Sequence, residues 1–508
     1  MGRTSRTWGR GILAATAAVT LAVVAAPPAA QASPGSVSSW ALRKLVTANG
    51  VMKHLKEFQR IAERNGDSRA AGGPGYDASI DYAEKVLRRA GYRVSRQSFD
   101  FQTFLINSPS VLARTAPAPA GDITHRIMSY SGNTAATAAA SVPTGDPTGC
   151  AAEDFGPANA ATIVLVSRGV CAFGQKATNA LAAGAAGVVV YNNTTGDLAG
   201  TLGNDFTLDI GVVGVTQALG QELVAQVDDG LTLRLHTDTF RAPGTTENLF
   251  AESWWGDPNN VVMAGAHLDS VPEGAGINDN GSGSAALLEV ADKMRWFPTR
   301  NKVRFALWGA EEAGLVGSTY YIAELPQAER DKIAFYLNFD MVGSPNYVRF
   351  VYDGDNSAYP PGTGSAAGPP GSGAIEQLFH DYFADQGLDS AETPFSGRSD
   401  YGPFIAAGVD IPSGGLFTGG EAIKTEEEAA AYGGTAGIAY DECYHRACDT
   451  IDNISKKAIG EMSDAVAHAV ITYAFDTRSL TAPLAGPATG TTAPAGEGSG
   501  LHEHEVES

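Results

Sequence analysis

The chain has 508 residues, of which 44% are hydrophobic and 18% charged, and its formal net charge is −21. This length exceeds what one compact core usually holds, so we expect two domains with extensions. The negative charge disfavours partners such as nucleic acid and anionic lipid surfaces, and it favours cation binding.

The N-terminus has the arrangement of an export signal. Three arginines within the first ten residues precede the apolar run ILAATAAVTLAVVAA, and an Ala-Gln-Ala cleavage pattern ends at Ala32. A membrane span is the alternative, but the run is shorter than the roughly 20 residues that such a helix needs. We therefore expect residues 1–32 to be removed, which changes the formal charge from −21 to −24 because three arginines leave. The mature protein is expected to be secreted, extracellular and free of the membrane.

The sequence contains four cysteines, Cys150, Cys171, Cys443 and Cys448. An even number of cysteines in an exported chain predicts disulfides. Zinc ligation by all four is the alternative, but their spacings do not form a paired zinc signature. We predict two local bridges, Cys150 to Cys171 and Cys443 to Cys448.

The segment before residue 109 has an α/β pattern. From Ser39 to Arg64, apolar residues recur at helical spacing, which predicts two amphipathic helices around Asn49-Gly50. The following run ASIDYAEKVLRRAGYRV predicts a helix that ends at Gly91 and then a strand. A helix followed directly by a strand is typical of an α/β domain.

From about residue 109 to residue 240 the composition shifts to Ala, Thr, Pro and Gly, which indicates a second, small domain. Within it, ATIVLVSRG predicts a strand, FGQKATNALAAGA a helix and GVVVYNN a strand. The run from Cys150 to Asn193 resembles a protease-associated (PA) domain through its RG-x-C-x-F-x-x-K and A-x-x-AGA-x-G-x-x-x-YNN patterns. The resemblance implies a module without catalytic residues that acts as a lid or guides substrate. An inert structural insertion is the alternative.

Two apolar runs in the second half of the chain are each followed by chemically active side chains. VVMAGA predicts a strand buried on both faces, and the loop after it carries His267, Asp269 and Asp279. The next predicted strand, KVRFALWG, is followed by Glu311 and Glu312. Open α/β sheets build their sites at the carboxyl ends of strands. Imidazole with carboxylate suits zinc, and two metals about 3.5–4 Å apart are a known device for hydrolysis.

The rest of the chain continues the alternation of helices and strands. LVGSTYYIAELP predicts a helix, and IAFYLNFDMVG predicts a buried strand that leads to Asp340. AIEQLFHDYFADQG and the segment from about Ser455 to Phe475 predict two more helices. The motif YDECYHRACDT carries His445. After Thr477 large apolar residues are nearly absent, which predicts a disordered tail.

Several motifs together resemble the dizinc aminopeptidase family of secreted bacterial leucyl aminopeptidases. They are H-x-D at 267–269, GINDNGSG at 276–283, GAEE-x-G-L-x-GS at 309–318, NFDM at 338–341, GRSDY at 397–401 and CYH at 443–445. The resemblance implies a three-layer α/β zinc-exopeptidase domain, whose mixed, mostly parallel sheet is flanked by helices, with a small β-rich PA domain inserted. The expected organisation is a signal peptide at 1–32, a catalytic domain at 33–108 and 241–478, the PA domain at 109–240 and a tail at 479–508.

The resemblance also implies a ligand set for two zinc ions. One zinc would take His267 and Asp340, the other would take Glu312 and His445, and Asp279 would bridge the two. Each metal would keep open positions for water and substrate, as a catalytic zinc requires. A calcium ion is left open as a further cofactor, because no pattern in the sequence assigns or excludes one.

Further roles follow from the same resemblance. Glu311 is implied as the general base that takes a proton from water and returns it to the departing amine. Asp269 is implied as the partner that fixes the first imidazole ligand, and Tyr444 as a hydrogen-bond donor to the oxyanion. Arg398 is implied to hold the substrate backbone, and Phe417 to line the pocket for the first side chain.

The expected function is that of a secreted, monomeric zinc aminopeptidase, which removes large apolar residues such as leucine from peptides and proteins with a free N-terminus. A carboxypeptidase on the same fold is one alternative, but it needs basic groups for a terminal carboxylate, and the motifs offer few besides Arg398. A glutaminyl cyclase-like single-zinc enzyme and a non-catalytic binding scaffold are the others. A scaffold would be expected to lose ligands.

Overall fold

The computed structural model describes residues 1–2, 38–193, 195–360 and 365–481. The apolar run of the predicted export signal and residues 482–508 of the predicted tail lie outside this part, and a 3₁₀ helix spans Arg478–Thr481. Within the described ranges, no helix combines the length and apolarity that crossing a membrane requires.

The described part contains the following elements. The strands are β1 (Arg93–Ala116), β2 (Gly121–Asp122), β3 (Arg126–Ile127), β4 (Thr134–Ser141), β5 (Ile163–Ser167), β6 (Gly187–Tyr191), β7 (Val212–Val215), β8 (Thr232–Glu252), β9 (Asp257–His267), β10 (Asn301–Trp308), β11 (Ile333–Phe339), β12 (Phe350–Tyr352), β13 (Ala391–Thr393) and β14 (Ser413–Phe417). The helices are α1 (Trp40–Leu45), α2 (Ala48–Arg64), α3 (Pro74–Arg89), α4 (Phe173–Ala182), α5 (Gln217–Ala225), α6 (Gly281–Met294), α7 (Val316–Glu324), α8 (Gln327–Arg330), α9 (Ser372–Asp385), α10 (Gly402–Ile405), α11 (Glu426–Tyr432) and α12 (Lys456–Phe475).

The main domain is built on a mixed sheet in the order β13-β12-β14-β11-β9-β10-β8, with β1 paired to β8. The central strands β14, β11, β9 and β10 run parallel, whereas β8 and β12 pair antiparallel with their inner neighbours. The predicted mixed, mostly parallel sheet is thus confirmed. The apolar runs from which buried strands were predicted lie in the centre of this sheet, where both faces are covered.

Alternating residues of the central strands face two helical layers. On β9, Val262, Ala264 and Ala266 belong to an apolar core shared with α2, α3, α6, α9 and α12. Met263 points to the opposite face, where Trp308 packs with residues of α7 and α10. Because side chains along a strand alternate between the faces of a sheet, both faces are buried and the domain has three layers, as predicted.

The insertion has its own core, and its strands extend the same sheet, because β4 pairs antiparallel with β8. Strands β4, β5, β6 and β7 run parallel, and β3 pairs antiparallel with β7. A long ribbon joins these strands to the main domain, because β1 and β8 pair antiparallel from Arg93↔Glu252 to Ala116↔Thr232. The expected domain limits at 108/109 and 240/241 therefore both lie within continuous strands.

Candidate metal centre

Three neighbouring parallel strands bring the candidate ligands to one edge of the sheet. His267 is the last residue of β9, and Asp340 directly follows β11. Glu311 and Glu312 lie in a bend and turn after β10. Since β10, β9 and β11 are adjacent and parallel, their carboxyl ends meet, and the side chains beyond them converge.

Asp279 reaches the same point from the loop between β9 and α6. The carboxylate of Asp449 fixes this loop by accepting hydrogen bonds from the backbone N–H groups of Asn278 (2.8 Å) and Asp279 (3.0 Å). The next residue, Asn280, caps α6 by accepting a hydrogen bond from the N–H of Gly283 at 2.9 Å. The start of a helix and a buried carboxylate therefore determine where Asp279 points.

The two oxygens of Asp279 face two different imidazoles. Its Oδ1 lies 3.2 Å from Nε2 of His267, which is also 3.3 Å from Oδ1 of Asp340. Its Oδ2 lies 3.0 Å from Nε2 of His445, which is also 3.2 Å from Oε2 of Glu312. The five predicted ligands thus form two groups of three that share one carboxylate, and residues 178 positions apart in the chain are neighbours here.

These separations fit donor atoms around a shared metal ion. Two ligands about 2.1 Å from a tetrahedral zinc lie roughly 3.4 Å apart, which agrees with all four distances. Oε1 of Glu312 and Oδ1 of Asp340 are buried and accept no hydrogen bond within the described part of the chain. Buried polar atoms normally have partners, so the donor set is chemically complete only with cations.

The imidazole of His267 is oriented for binding a metal through Nε2. Its Nδ1–H donates a hydrogen bond to the backbone carbonyl of Asp269 at 3.1 Å, and the carboxylate of Asp269 lies 3.6 Å from the same nitrogen. With Nδ1 as the donor to this carbonyl, loss of the Nε2 proton would leave the Nε2 lone pair facing the carboxylates, as metal binding requires. The predicted proximity of Asp269 to the imidazole is present, but the hydrogen bond runs to its backbone.

The carboxylate of Asp269 has a second task that its spacing from His267 did not indicate. Its Oδ1 accepts a hydrogen bond from the N–H of Glu311, and its Oδ2 accepts one from the N–H of Glu312, both at 3.2 Å. One buried carboxylate therefore positions the turn that carries both acids.

Crowding of buried acids shifts their protonation in the protein without cations. Burial, supported by the charges of nearby acids and opposed by that of His267, raises the pKa of Glu311 well above its usual value, and burial raises the pKa of Glu312 to about 7. Burial alone would raise the pKa of Asp279 as well, but its hydrogen bonds to His267 and His445 lower that pKa. The carboxyl that faces both imidazoles thus has a lowered pKa, whereas those of Glu311 and Glu312 are raised.

A chain of hydrogen bonds across two strands and the GRSDY loop fixes Asp340. The indole N–H of Trp308 donates to the hydroxyl of Tyr336 (2.7 Å), which donates to the side-chain oxygen of Asn338 (2.9 Å). The amide of Asn338 donates to Ser399 (2.8 Å), and the hydroxyl of Ser399 donates to Oδ2 of Asp340 (2.6 Å). Every donor points the same way, so the relay leaves only Oδ1 of Asp340 directed at His267.

His445 lies in a short loop closed by the Cys443–Cys448 disulfide. Its backbone φ is +54°, in the left-handed region, and the ring of Tyr444 stacks on its imidazole with the centroids 3.8 Å apart. Burial raises the pKa of Tyr444 well above its ordinary value, so its phenol stays a hydrogen-bond donor at neutral pH. The second predicted disulfide, Cys150–Cys171, is also present in the insertion.

The two candidate substrate residues lie beside this loop. Phe417 ends β14, and its ring and that of Tyr444 flank Gly420, each with an atom 3.7–3.8 Å from where a Cβ would stand. Burial would lower the pKa of Arg398, but the charge of Glu421, followed by the interaction with Tyr444, outweighs it and raises that pKa. Arg398 therefore stays cationic close to the tyrosine.

Comparison with known proteins decides the family. The model of peptidase family M28 matches residues 248–470, and the model of the PA domain matches residues 134–223. An aminopeptidase of Pseudomonas aeruginosa (strain UCBPP-PA14) is 46% identical over 452 residues, which cover 84% of this chain and 81% of the relative. The chain belongs to peptidase family M28. It is therefore a hydrolase, as predicted, and the predicted PA insertion is confirmed.

This M28 peptidase also resembles fungal proteins and solved structures. Leucine aminopeptidase 2 of Trichophyton rubrum is 41% identical, over 87% of this chain and 88% of the relative. An aminopeptidase from Aneurinibacillus sp. strain AM-1 aligns with a TM-score of 0.65 at 26% identity, over 85% of this chain and 95% of that structure. A zinc aminopeptidase from Bacillus subtilis aligns with a TM-score of 0.59 at 25% identity, over 84% and 94%.

Three supporting residues of the M28 site were missed from the sequence. Arg69, on the N-terminal part of the chain, is fully buried and donates to the carbonyls of Ala275 and Gly276 in the β9–α6 loop. Ser399 and Asp449 anchor ligand-bearing segments, as described above. Ser399 lay within a quoted motif, so only its role was missed, whereas nothing near Arg69 in the sequence indicates a site more than 190 residues away.

Proposed function

We propose that this M28 peptidase is a secreted, zinc-dependent aminopeptidase that binds two zinc ions and hydrolyses the first peptide bond of peptides and proteins. The observation that carries the proposal is the position of Asp279, whose two oxygens each face a separate imidazole. Relatives named aminopeptidase and leucine aminopeptidase 2 support the direction of cleavage. A carboxylate whose two oxygens face two histidines is suited to bridging two metal ions, a role that a site for one metal does not need.

The five ligands divide between the two proposed ions. His267 and Asp340 would hold one zinc, Glu312 and His445 would hold the other, and Asp279 would bridge them. When bound, the zinc pair supplies Lewis-acid activation of a water molecule and of the scissile carbonyl. The three carboxylates of the set contribute negative charge that offsets most of the charge of two dications.

Glu311 is proposed to move the proton. Its carboxylate reaches the edge of the first group, with Oε2 3.8 Å from Nε2 of His267, and it belongs to neither three-residue group around Asp279. Burial raises its pKa, a direction that favours return of the proton to the departing amine. Glu311 would accept the proton of the attacking water and deliver it to the departing amine.

Tyr444 and Arg398 are proposed to hold the substrate around the reacting bond. The Tyr444 phenol, kept protonated by burial, would donate a hydrogen bond to the oxyanion as it develops. Arg398 would bind the peptide backbone, and Phe417 would border the pocket for the first side chain. An apolar wall at this place is consistent with a preference for large apolar residues such as leucine.

The proposed domain organisation follows the sequence. The signal peptide would span residues 1–32, and the catalytic domain would comprise 33–108 and 241–478, interrupted by the PA domain at 109–240 and followed by a tail at 479–508. Export through the signal would place the two disulfides in an oxidising compartment, where such bonds persist.

A panel of aminoacyl anilides tests this function. Each anilide is offered with a free and with an acetylated N-terminus, in the presence and absence of a zinc chelator. We expect cleavage of free leucyl, methionyl and phenylalanyl anilides, no cleavage after acetylation, and loss of activity with the chelator that added zinc restores. Equal cleavage of acetylated substrates would refute an aminopeptidase, and cleavage that the chelator leaves unchanged would refute zinc dependence.

A further inference from the structure

The insertion contacts the loop that carries His445 through an arginine. Arg126 lies on β3, where it pairs with Gly214 of β7 in the sheet of the insertion. Its guanidinium donates a hydrogen bond to the backbone carbonyl of His445, 319 positions away in the chain. A proposed metal ligand is thus tied to the inserted domain at its own peptide group.

A second contact joins the same loop to the insertion. The guanidinium of Arg446, the residue after His445, forms an ion pair with the carboxylate of Asp197. The two side chains are 43% and 31% exposed, so this pair contributes orientation more than stability. Two neighbouring residues of the loop are therefore held by two separate segments of the insertion.

The insertion also packs against the other side of the metal centre. Ala310 and Ala313, which flank the Glu311-Glu312 pair, are buried in an apolar cluster that consists mostly of residues of the insertion and the ribbon. Phe206 and Leu198 of the insertion belong to this cluster. The turn that carries Glu312 and the loop that carries His445 therefore both contact the inserted domain.

The loop needs external support because its backbone conformation is unfavourable. A left-handed φ is disfavoured for residues with a Cβ and persists where surrounding contacts determine it. On the catalytic side, the β9–α6 loop lies so close that a Cβ on Gly274 would come within 2.4 Å of the carbonyl oxygen of Arg446. The loop is thus enclosed between Gly274 and the contacts from Arg126 and Asp197.

We infer that the PA domain positions the metal centre, because it holds the Cys443–Cys448 loop through Arg126 and Asp197. Arg126 is the main positioning residue, since its hydrogen bond fixes the peptide of His445 itself. The role in metal binding rests on the proposed function, whereas the role in ordering the loop does not. The insertion would then be a structural part of the active site.

The variants Arg126→Ala, Arg126→Lys and Asp197→Asn test this inference on the full chain. For Arg126→Ala we expect about tenfold faster release of one zinc equivalent to a chromogenic chelator and about tenfold lower kcat, as for other residues that orient metal ligands. KM should change less than kcat, because Arg398 and Phe417, the other proposed substrate residues, lie outside this loop. Arg126→Lys keeps a charged donor and should restore most of both values, and Asp197→Asn should have a smaller effect.

Amide hydrogen exchange of the metal-free chains gives a readout independent of activity. We expect Arg126→Ala to accelerate exchange in residues 443–449, with unchanged exchange in residues 163–167, the strand β5 at the centre of the insertion. The control is Arg114→Ala, which removes an ion pair with Glu222 in the same domain and should alter none of these values.

The outcomes separate this inference from the proposed function. An active, zinc-containing parent whose Arg126→Ala variant keeps its zinc release, kcat and loop exchange would overturn the positioning role alone. A parent chain that neither binds zinc nor cleaves anilides would overturn the proposed function. The exchange measurement would then still decide whether Arg126 holds the loop. If Arg126→Ala accelerated exchange in β5 as much as in the loop, the effect would be general, and the local role of Arg126 would be wrong.

Discussion

The insertion and the metal centre both bury charged side chains, but they satisfy them differently. In the insertion, the ammonium of Lys176 is fully buried and donates to the carbonyls of Thr148 (2.8 Å) and Gly169 (2.6 Å) and to Sγ of Cys150 (3.3 Å). In the metal centre, buried oxygens of Glu312 and Asp340 accept no hydrogen bond from the described residues. The first arrangement is complete within the protein, whereas the second requires a cation.

This difference separates a structural charge from a functional one. Three donors on Lys176 meet three acceptors, so the group can stabilise its domain without any ligand. Burial raises the pKa of Glu312, so its ionised form is costly without a cation, which makes this carboxylate a poor stabiliser and a good ligand. Substitutions at the two places should therefore affect different properties of the protein.

The largest expected effect is on catalysis, for Glu311→Gln. The variant keeps the shape of the side chain but cannot accept a proton, so kcat should fall about a thousandfold while both zinc ions remain. Steady-state kinetics with a leucyl anilide and metal analysis of the same sample measure the two quantities. Glu324→Gln, which replaces an exposed acid of α7, is the matched control. Full activity of Glu311→Gln would remove this residue from the mechanism.

Lys176→Met is expected to act on stability instead. The substitution leaves two buried carbonyls and a sulfur without their donor, which should lower the free energy of unfolding of the insertion by about 3 kcal/mol. Burial lowers the pKa of Lys176 to about 8, so the side chain is still charged at pH 7. The stabilities of the variant and its parent should therefore be compared at that pH. Chemical denaturation, followed beside the exposed control Lys85→Met, measures the loss. A variant as stable as its parent would contradict the contrast between the two regions.

Asp269→Asn tests a buried carboxylate that is hydrogen-bonded within the protein and also lies beside the proposed metal ligands. The amide can accept one hydrogen bond in place of the two that Asp269 accepts from Glu311 and Glu312, so the turn should loosen. We expect kcat to fall about 30-fold, within the range for residues that orient metal ligands, with little loss of stability. A fall in the melting temperature without a fall in kcat would show that Asp269 has only a structural role.

His468 supplies the smallest expected effect, through pH. Burial, followed by the charge of Arg43, lowers the pKa of this side chain to about 4, and its Nδ1 lies 2.7 Å from the hydroxyl of Ser39. Because the unfolded chain binds this proton near pH 6.5 and the folded chain binds it only near pH 4, stability falls as the pH decreases between these values. The loss between pH 7 and pH 5 should be roughly 2 kcal/mol. His468→Gln should flatten this part of the stability profile, and an unchanged slope would exclude the assignment.

Much of the fold was predictable because local patterns agreed with the tertiary structure. VVMAGA and IAFYLNF are largely apolar without alternation, as strands covered on both faces must be, whereas KVRFALWG alternates with Lys302 and Arg304 before its apolar end; all three lie in the centre of the sheet. Three candidate ligands, His267, Glu312 and Asp340, stand at or just after the ends of these runs, so their convergence also followed from the sequence order.

The ribbon was not predictable, because its sequence contradicts a continuous strand. Pro109 and the change in composition around it suggested a domain limit, yet β1 continues to Ala116. The strand tolerates Pro109 because its register with β8 shifts between Ser108 and Val111, where no regular ladder hydrogen bond is required. Such an irregularity depends on the partner strand.

The contacts that support the site could not be predicted from the sequence either. Arg69 and Arg126 act on carbonyl groups far away in the sequence, and any residue has a carbonyl to offer. Residue type therefore carries no signal for these contacts, whereas histidine and carboxylate ligands are recognisable by their chemistry. The sequence could indicate what binds the metal but not what holds the ligands in place.

The central claim is that five side chains hold two zinc ions with Asp279 between them. X-ray anomalous scattering at the zinc edge, recorded from crystals of the purified chain, tests it most directly. We predict two peaks about 3.5–4 Å apart, one beside His267 and Asp340 and the other beside Glu312 and His445. A single peak, or two peaks of which neither lies beside Asp279, would contradict the account.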